Sequence, residues 1–231
     1  MRRKPGSMRG LEELGRVRLS RFFFMRDFLY SEIGNVHGIP NIPSDPDLAI
    51  AVGEKLCVEL LDPIVETFGP IHLRSSFRSV EVNGYGAANK ENCASNESNH
   101  AGHIWDRRDA NGHMGATACI VVPWFADRYE EGRDLSDLAW WVHDHLPYAD
   151  MEFYPKLAAF NLSWHEATDP AANDPVHPQR IAAWMASPRV IYKQGDAKRG
   201  EPEERRARRY ADFPPFRALK GVLPLSAAGV T

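Results

Sequence analysis

Apolar residues recur at three- to four-residue spacing over one long stretch of this chain, at Leu48, Val52, Leu56, Leu60, Ile64 and Phe68. Such a row covers one face of a 3.6-residue helix. The spacing predicts a helix over 46–68, with Ser44 or Asp45 as cap, Pro46 in the first turn and Gly69-Pro70 as its stop. Upstream, RLSRFFFMRDFLYSE (18–32) mixes apolar and charged positions as a short amphipathic helix entered through Ser20 would. The IGNVHGIPNIPSDPD stretch that follows is broken by Gly34, Gly38, Pro40, Pro43 and Pro46 and reads as loop. Residues 71–76 and 160–165 alternate like strands, and ATACIVVPWF (116–125) has the run of a buried strand. RDLSDLAWWVHDHL (133–146) suits a capped helix, and IAAWMASPRVIYK contributes one more element. Residues 84–116 carry almost no apolar period, and a connection this long is functional or disordered. Its part from Asn89 to Gly115 is expected to be ordered by polar contacts and not by a core of its own.

With 231 residues, 43% of them apolar and 26% charged, the chain can bury one sizeable core with appendages. The expected division is an N-terminal extension over 1–17, a folded domain over 18–194 and a charge-dense tail over 195–231, a solvated helix or disordered extension. A formal net charge of −3 leaves no global basic field for nucleic acid or an anionic membrane surface. No apolar run reaches the length of a membrane span, and the basic first ten residues precede no apolar segment of signal-peptide length. A cytoplasmic protein is the expectation. Cys57, Cys93 and Cys119 are odd in number and form no CxxC pair, so no disulfide framework is implied, and Cys57 reads as a core residue.

Chemistry concentrates between His100 and Cys119, where His100, His103, His113, Asp106 and Cys119 offer donor types that zinc accepts. The segment LCVELLDPIVETFGPIHLRSSFRSVEVN (56–83) resembles the helix, strand and loop that open the zinc D-alanyl-D-alanine peptidases, in which the helix ends FG-P and the strand runs into SGYRSxxxN. Here Ser76 takes the glycine place and Phe77 the tyrosine place, and Arg78 matches the arginine that faces the substrate. A planar guanidinium suits that role because it holds a carboxylate or developing oxyanion bidentately.

The resemblance implies a ligand motif SxHxxGxAxD, for which two segments compete. Ser98-Asn99-His100-Ala101-Gly102-His103-Ile104-Trp105-Asp106 keeps both ligand types with one residue deleted, whereas 113–119 sits better on a strand but puts Cys119 in the carboxylate place. His100 and Asp106 are the preferred ligands, and a mixed site using His103, His113 or Cys119 stays open. Trp164-His165 matches the family's third ligand. Glu152 best resembles its general base, with Asp150 and Glu166 as competitors, while His143 and His145 read as decoration of a helix end.

What the resemblance implies is an α+β fold of the Hedgehog/D-Ala-D-Ala-peptidase type, a small antiparallel sheet flanked by helices. It also implies Zn2+ on His100, Asp106 and His165, with Arg78 at the pocket mouth pointing toward them. A zinc-bound water, Glu152 as base and Arg78 as oxyanion partner would hydrolyse a peptide bond, with a peptide or cell-wall peptide as substrate. The competing readings are a non-catalytic binding or assembly module of the same fold, and a metalloenzyme of different reaction.

Overall fold

The computed structural model describes residues 2–184 and 187–217. Helix α1 (Met8–Gly15) starts where the Ser7 hydroxyl accepts from the Gly10 N–H, and it buries Leu14. The helix expected over 18–32 does not form. Arg18 bridges Phe24, the Leu19 N–H donates to the Phe23 carbonyl, and only Met25–Phe28 closes a tight helical turn. The reason is positional: Leu19, Phe23, Met25 and Phe28 are all buried, and their spacing would scatter them around a helix, whereas a folded-back turn sends all four to one core. Part of the expected loop is instead α2 (Glu32–His37), capped by Ser31 and stopped by Gly38 at φ 66°.

The long apolar row forms the expected helix, with one interruption. After α3 (Pro46–Leu56), whose cap Asp45 accepts from the Leu48 N–H, the chain makes one wide π turn over Cys57–Leu61 before α4 (Asp62–Phe68). Pro63 accounts for the widening, because it offers no N–H and its ring would clash with the carbonyl four residues back.

The other elements follow in order: β1 (His72–Ser75), α5 (Val80–Ala88), α6 (Asn96–Asn99), β2 (Gly115–Val121), α7 (Pro123–Glu130), α8 (Leu135–His145), β3 (Asp150–Phe153), β4 (Phe160–His165), β5 (Arg180–Trp184), β6 (Pro188–Lys193) and α9 (Glu203–Arg209). The chain is therefore α+β, but the sheet is not the small antiparallel one expected. It has six strands in the order β1-β2-β4-β3-β5-β6 and is mixed, since β3 and β5 run parallel. β5 returns on the far side of β3 from β4 and runs parallel to β3. Pro123 ends the strand expected to reach Phe125 and opens α7.

Alternation gives the sheet two unlike faces. Ala116, Ala118, Ile120, Met151, Phe153, Phe160, Leu162, Trp164, Ile181 and Ala183 join Leu56, Leu60, Trp140 and Trp141 in the main core. The opposite face carries Thr117, Cys119, Asp150, Glu152, Asn161, Ser163 and His165.

The long connection is held partly by polar contacts and partly by that main core. Ile104 and Trp105 are fully buried, with Trp105 packed 5.1 Å from Phe28 and 6.2 Å from Phe77 and its indole N–H on the Thr117 carbonyl at 3.1 Å. Beyond 195, α9 docks on α8 through Arg206 on Asp144 and Arg209 on Asp137, and Phe213 is buried against Phe68 and Trp124. The rest of the expected tail, 218–231, lies outside the described residues. No helix among the described residues is long and apolar enough to cross a membrane.

Candidate functional site

Strand pairing lines up one row across the polar face: Ser75 stands opposite Cys119, Cys119 opposite Asn161, and Asn161 opposite Glu152. Arg78 joins the row from the loop after β1. Its backbone N–H donates to the His103 carbonyl at 2.8 Å, and its guanidinium reaches Ser75 Oγ at 3.1 Å and Cys93 Sγ at 3.4 Å. Both side-chain partners are neutral, and no carboxylate pairs with this half-buried cation among the described residues. Its positive charge is felt by Cys119, His103 and Tyr154.

A chain of hydrogen bonds runs from there across the sheet. His103 is buried and its Nδ1 lies 2.7 Å from the Ser76 carbonyl oxygen. Burial, and then the nearby Arg78 charge, push its pKa down to about 3, so the ring is neutral. The Asn161 amide adjoins that ring, and its Nδ2 donates to the Tyr154 hydroxyl at 3.0 Å. Tyr154 donates in turn to Glu152 Oε2 at 3.0 Å, while the Trp184 indole N–H donates to Oε1. Both Glu152 oxygens are thus engaged, which suits an anchor better than a general base. Burial lifts the Cys119 thiol to about 11 against the pull of Arg74 and Arg78, so it is protonated at neutral pH and neither a nucleophile nor a ready ligand.

The second cluster lies at the far end of the same face. His165 closes β4 opposite Gly115, four residues from Asn161, or about 13 Å at roughly 3.3 Å per residue. Its Nε2 is 3.2 Å from Asp109 Oδ2, its Nδ1 accepts from the Ala167 N–H at 3.2 Å, and the His177 ring stacks on it at 4.1 Å. His113 Nδ1 lies 3.6 Å from Asp109 Oδ2 and is buried with no hydrogen-bond partner.

The structure brings Arg78 and Glu152 into one row but does not assemble His100, Asp106 and His165. Among the described residues, no three His, Cys, Asp or Glu side chains are arranged to hold a metal ion. The cause lies next door in sequence. Ile104 and Trp105 plunge into the core, and Asp106 is thereby swung onto the approach to α3, where its Oδ2 accepts from the Ser44 and Asp45 N–H groups at 2.6 and 3.3 Å. His100 sits on the loop after α6, and its backbone N–H donates to the Asn96 carbonyl. Cys119 stands in the Arg78 row, away from His165.

Asn161, Tyr154 and Asp109 escaped the sequence reading. The alternation of FNLSWH was the available signal for Asn161, since it shares a face with His165. Two cavities lie elsewhere: one of about 680 Å³ between α1 and 26–42, another of about 530 Å³ between the end of α8 and α9. No protein family matches the chain, and neither the curated proteins nor the solved structures provide a match.

Proposed function

We propose that the polar face of the sheet binds a peptide by its carboxylate, which Arg78 holds, so that the chain acts as a binding module of peptidase-like build. The observation that carries this reading is Arg78 itself, a half-buried guanidinium whose side-chain hydrogen-bond partners among the described residues are a hydroxyl and a thiol. Such a group keeps donors free for a bidentate carboxylate, the strongest class of hydrogen-bonded pair available to it. The neutral His103 and Cys119 beside it add no competing charge.

The test is an NMR titration of the isotope-labelled full chain with N-acetyl-Ala-Ala in its L and D forms, each as free acid and as terminal amide. The free acid should shift Ser75, Arg78 and Asn161 resonances, and Arg78→Ala should weaken binding at least tenfold. Equal binding of the amide would remove the reading.

A zinc-dependent hydrolase is the second reading, favoured by one observation: Asp109 Oδ2 lies between His165 Nε2 and His113 Nδ1, and the latter has no hydrogen-bond partner. Among the described residues, His100, Asp106 and His165 do not come together around a shared ion. About one zinc per chain in protein prepared without a metal-binding tag, with release of a terminal residue from cell-wall peptides, supports this reading. Metal-free protein that stays metal-free when offered zinc excludes it.

A further inference from the structure

We infer that the cavity between α1 and residues 26–42 is a binding site for a small amphipathic carboxylate, which lays its alkyl tail along the apolar wall and its head on Arg26. The site stands apart from the Arg78 row and does not depend on the peptide-binding reading.

The cavity holds about 680 Å³, within the roughly 300–1,000 Å³ that small-ligand pockets take. Met8, Leu11, Glu12 and Gly15 line it at i, i+3, i+4 and i+7, so a single face of α1 forms one wall. Leu29 and Tyr30, after the helical turn, and Ile39 and Ile42, on the way to α3, supply the apolar remainder. Met8 and Tyr30 are 83% and 58% exposed, so this apolar wall runs out into water uncovered. An apolar tail laid there would remove that surface from water.

The polar side chains of the cavity leave one cation over. Glu12 is paired with Arg16, one turn further along α1. Asn41 is engaged at both ends, its Nδ2 donating to the Leu29 and Phe77 carbonyls and its Oδ1 accepting from the Ser79 N–H. Ser31 Oγ accepts from the Gly34 N–H. Arg26 has no carboxylate partner among the described residues. Its Nε donates to the Gly15 carbonyl at 3.3 Å, and a Cβ on Gly15 would lie 3.2 Å from Arg26 Cβ and 3.6 Å from its Nη2. The arginine is thus laid across the glycine at the end of α1, and its Nη donors have no hydrogen-bond partner among the described residues. A guanidinium held beside an apolar wall complements an anion that carries an apolar tail. A neutral alkyl chain would leave the cation unused, and an inorganic anion would leave the wall wet.

The probe is octanoate, compared with 1-octanol and with acetate, titrated at neutral pH into the isotope-labelled full chain and followed by NMR. Octanoate should shift the Met8, Leu11, Ile39 and Ile42 methyl resonances together with Arg26 Nε. It should bind about fivefold or more tightly than either the alcohol or acetate, the gain of a charge-assisted hydrogen bond at a water-facing rim. Arg26→Gln, at an exposed position, should cut the preference over octanol to less than twofold. Met8→Glu, also exposed, should weaken octanoate by setting a like charge at the rim. Equal affinity of octanoate and octanol for the wild type overturns the assignment of Arg26 and needs no variant to fold. Shifts that map to other residues, or no binding at all, overturn the cavity as the site. Co-sedimentation with anionic vesicles without binding of free octanoate makes the rim a lipid-surface contact and overturns the inference as well. None of these outcomes bears on Arg78, which the peptide titration tests separately.

Discussion

Asp109 Oδ2 lies 3.2 Å from His165 Nε2, and through this contact the loop before β2 is tied to the last residue of β4. Burial lowers the His165 pKa first, the stacked His177 lowers it further, and Asp109 opposes both. Asp109→Asn removes the opposing charge. The His165 pKa should therefore fall further below its ordinary value, as followed by the ring-proton shifts in an NMR titration. A rise, or no change, would show that the carboxylate does not face the ring in solution.

His103 supplies a sharper pH signature. Its folded-state pKa of about 3 lies far below the 6.5 of an exposed histidine, so the unfolded chain binds this proton first as pH drops. The stability it confers is complete above pH 6.5 and drains away as pH falls from there toward 3. Nitrogen shifts of His103 should report the neutral Nδ1–H tautomer unchanged from pH 8 to pH 5. His103→Gln should flatten the acid limb of a stability curve measured by urea unfolding. A His103 that titrates near 6 in the folded protein contradicts the burial of its ring.

The C-terminal helix offers a contrast between two arginines one residue apart. Arg206 is largely covered and clasps Asp144 at 2.6 and 2.8 Å, where the Tyr210 hydroxyl also donates. Arg205 reaches Glu201 only at 3.9 Å and is mostly exposed. Arg206→Ala should cost about 1.5–3 kcal/mol, the range for hydrogen bonds to a charged group that is left without its partner. Arg205→Ala should stay within about 0.5 kcal/mol. Chemical denaturation of the two variants side by side decides it; equal losses would mean that α9 is not docked through Asp144.

What could be read in advance follows from range. The helix over 46–68 and the alternation of 160–165 are local patterns, and both appear as expected because a stripe or a face needs only neighbours in sequence. The turn after Leu19 escapes a local reading because the mixed apolar and charged positions of 18–32 suit a helix, and only the tertiary core selects Leu19, Phe23, Met25 and Phe28 for burial while Phe22 and Phe24 stay exposed. The mixed order of the sheet depends on β5 passing beyond β3, which no short window encodes. At the site, residue type and spacing point to Asp106, whereas the carboxylate beside His165 is that of Asp109, three residues on. The burial of Trp105 decides between them by turning Asp106 toward Ser44, and that burial comes from Phe28 and Phe77, far away in sequence. Arg78 is legible because the SSFRS segment that carries the resemblance is local in sequence and follows β1 directly.

The tightest constraint on this region is the absence of a side chain at Gly115. A Cβ there would sit 2.3 Å from the Ala101 carbonyl oxygen, 3.0 Å from His165 Cδ2 and 3.1 Å from the Trp164 carbonyl oxygen. Two of the three obstacles are backbone, and neither can retreat cheaply. The Ala101 N–H is bonded to the Arg107 carbonyl at 2.9 Å, the Thr117 N–H to the Gly102 carbonyl at 3.0 Å, and Trp164 is paired across from Ala116 in the sheet. Gly115→Ala must therefore push the 101–107 loop off β2, at about 3 kcal/mol, the upper range for overpacking. Gly112, three residues earlier, is the control: its Cβ would meet open space, and only its φ of 87° resists, so Gly112→Ala should cost about 1 kcal/mol. Urea unfolding of both variants measures the difference. Because the displaced loop carries His103, Gly115→Ala should also broaden the Asn161 side-chain amide resonances, while Gly112→Ala leaves them sharp. A Gly115→Ala protein as stable as Gly112→Ala would mean that the loop does not lie against β2 as described.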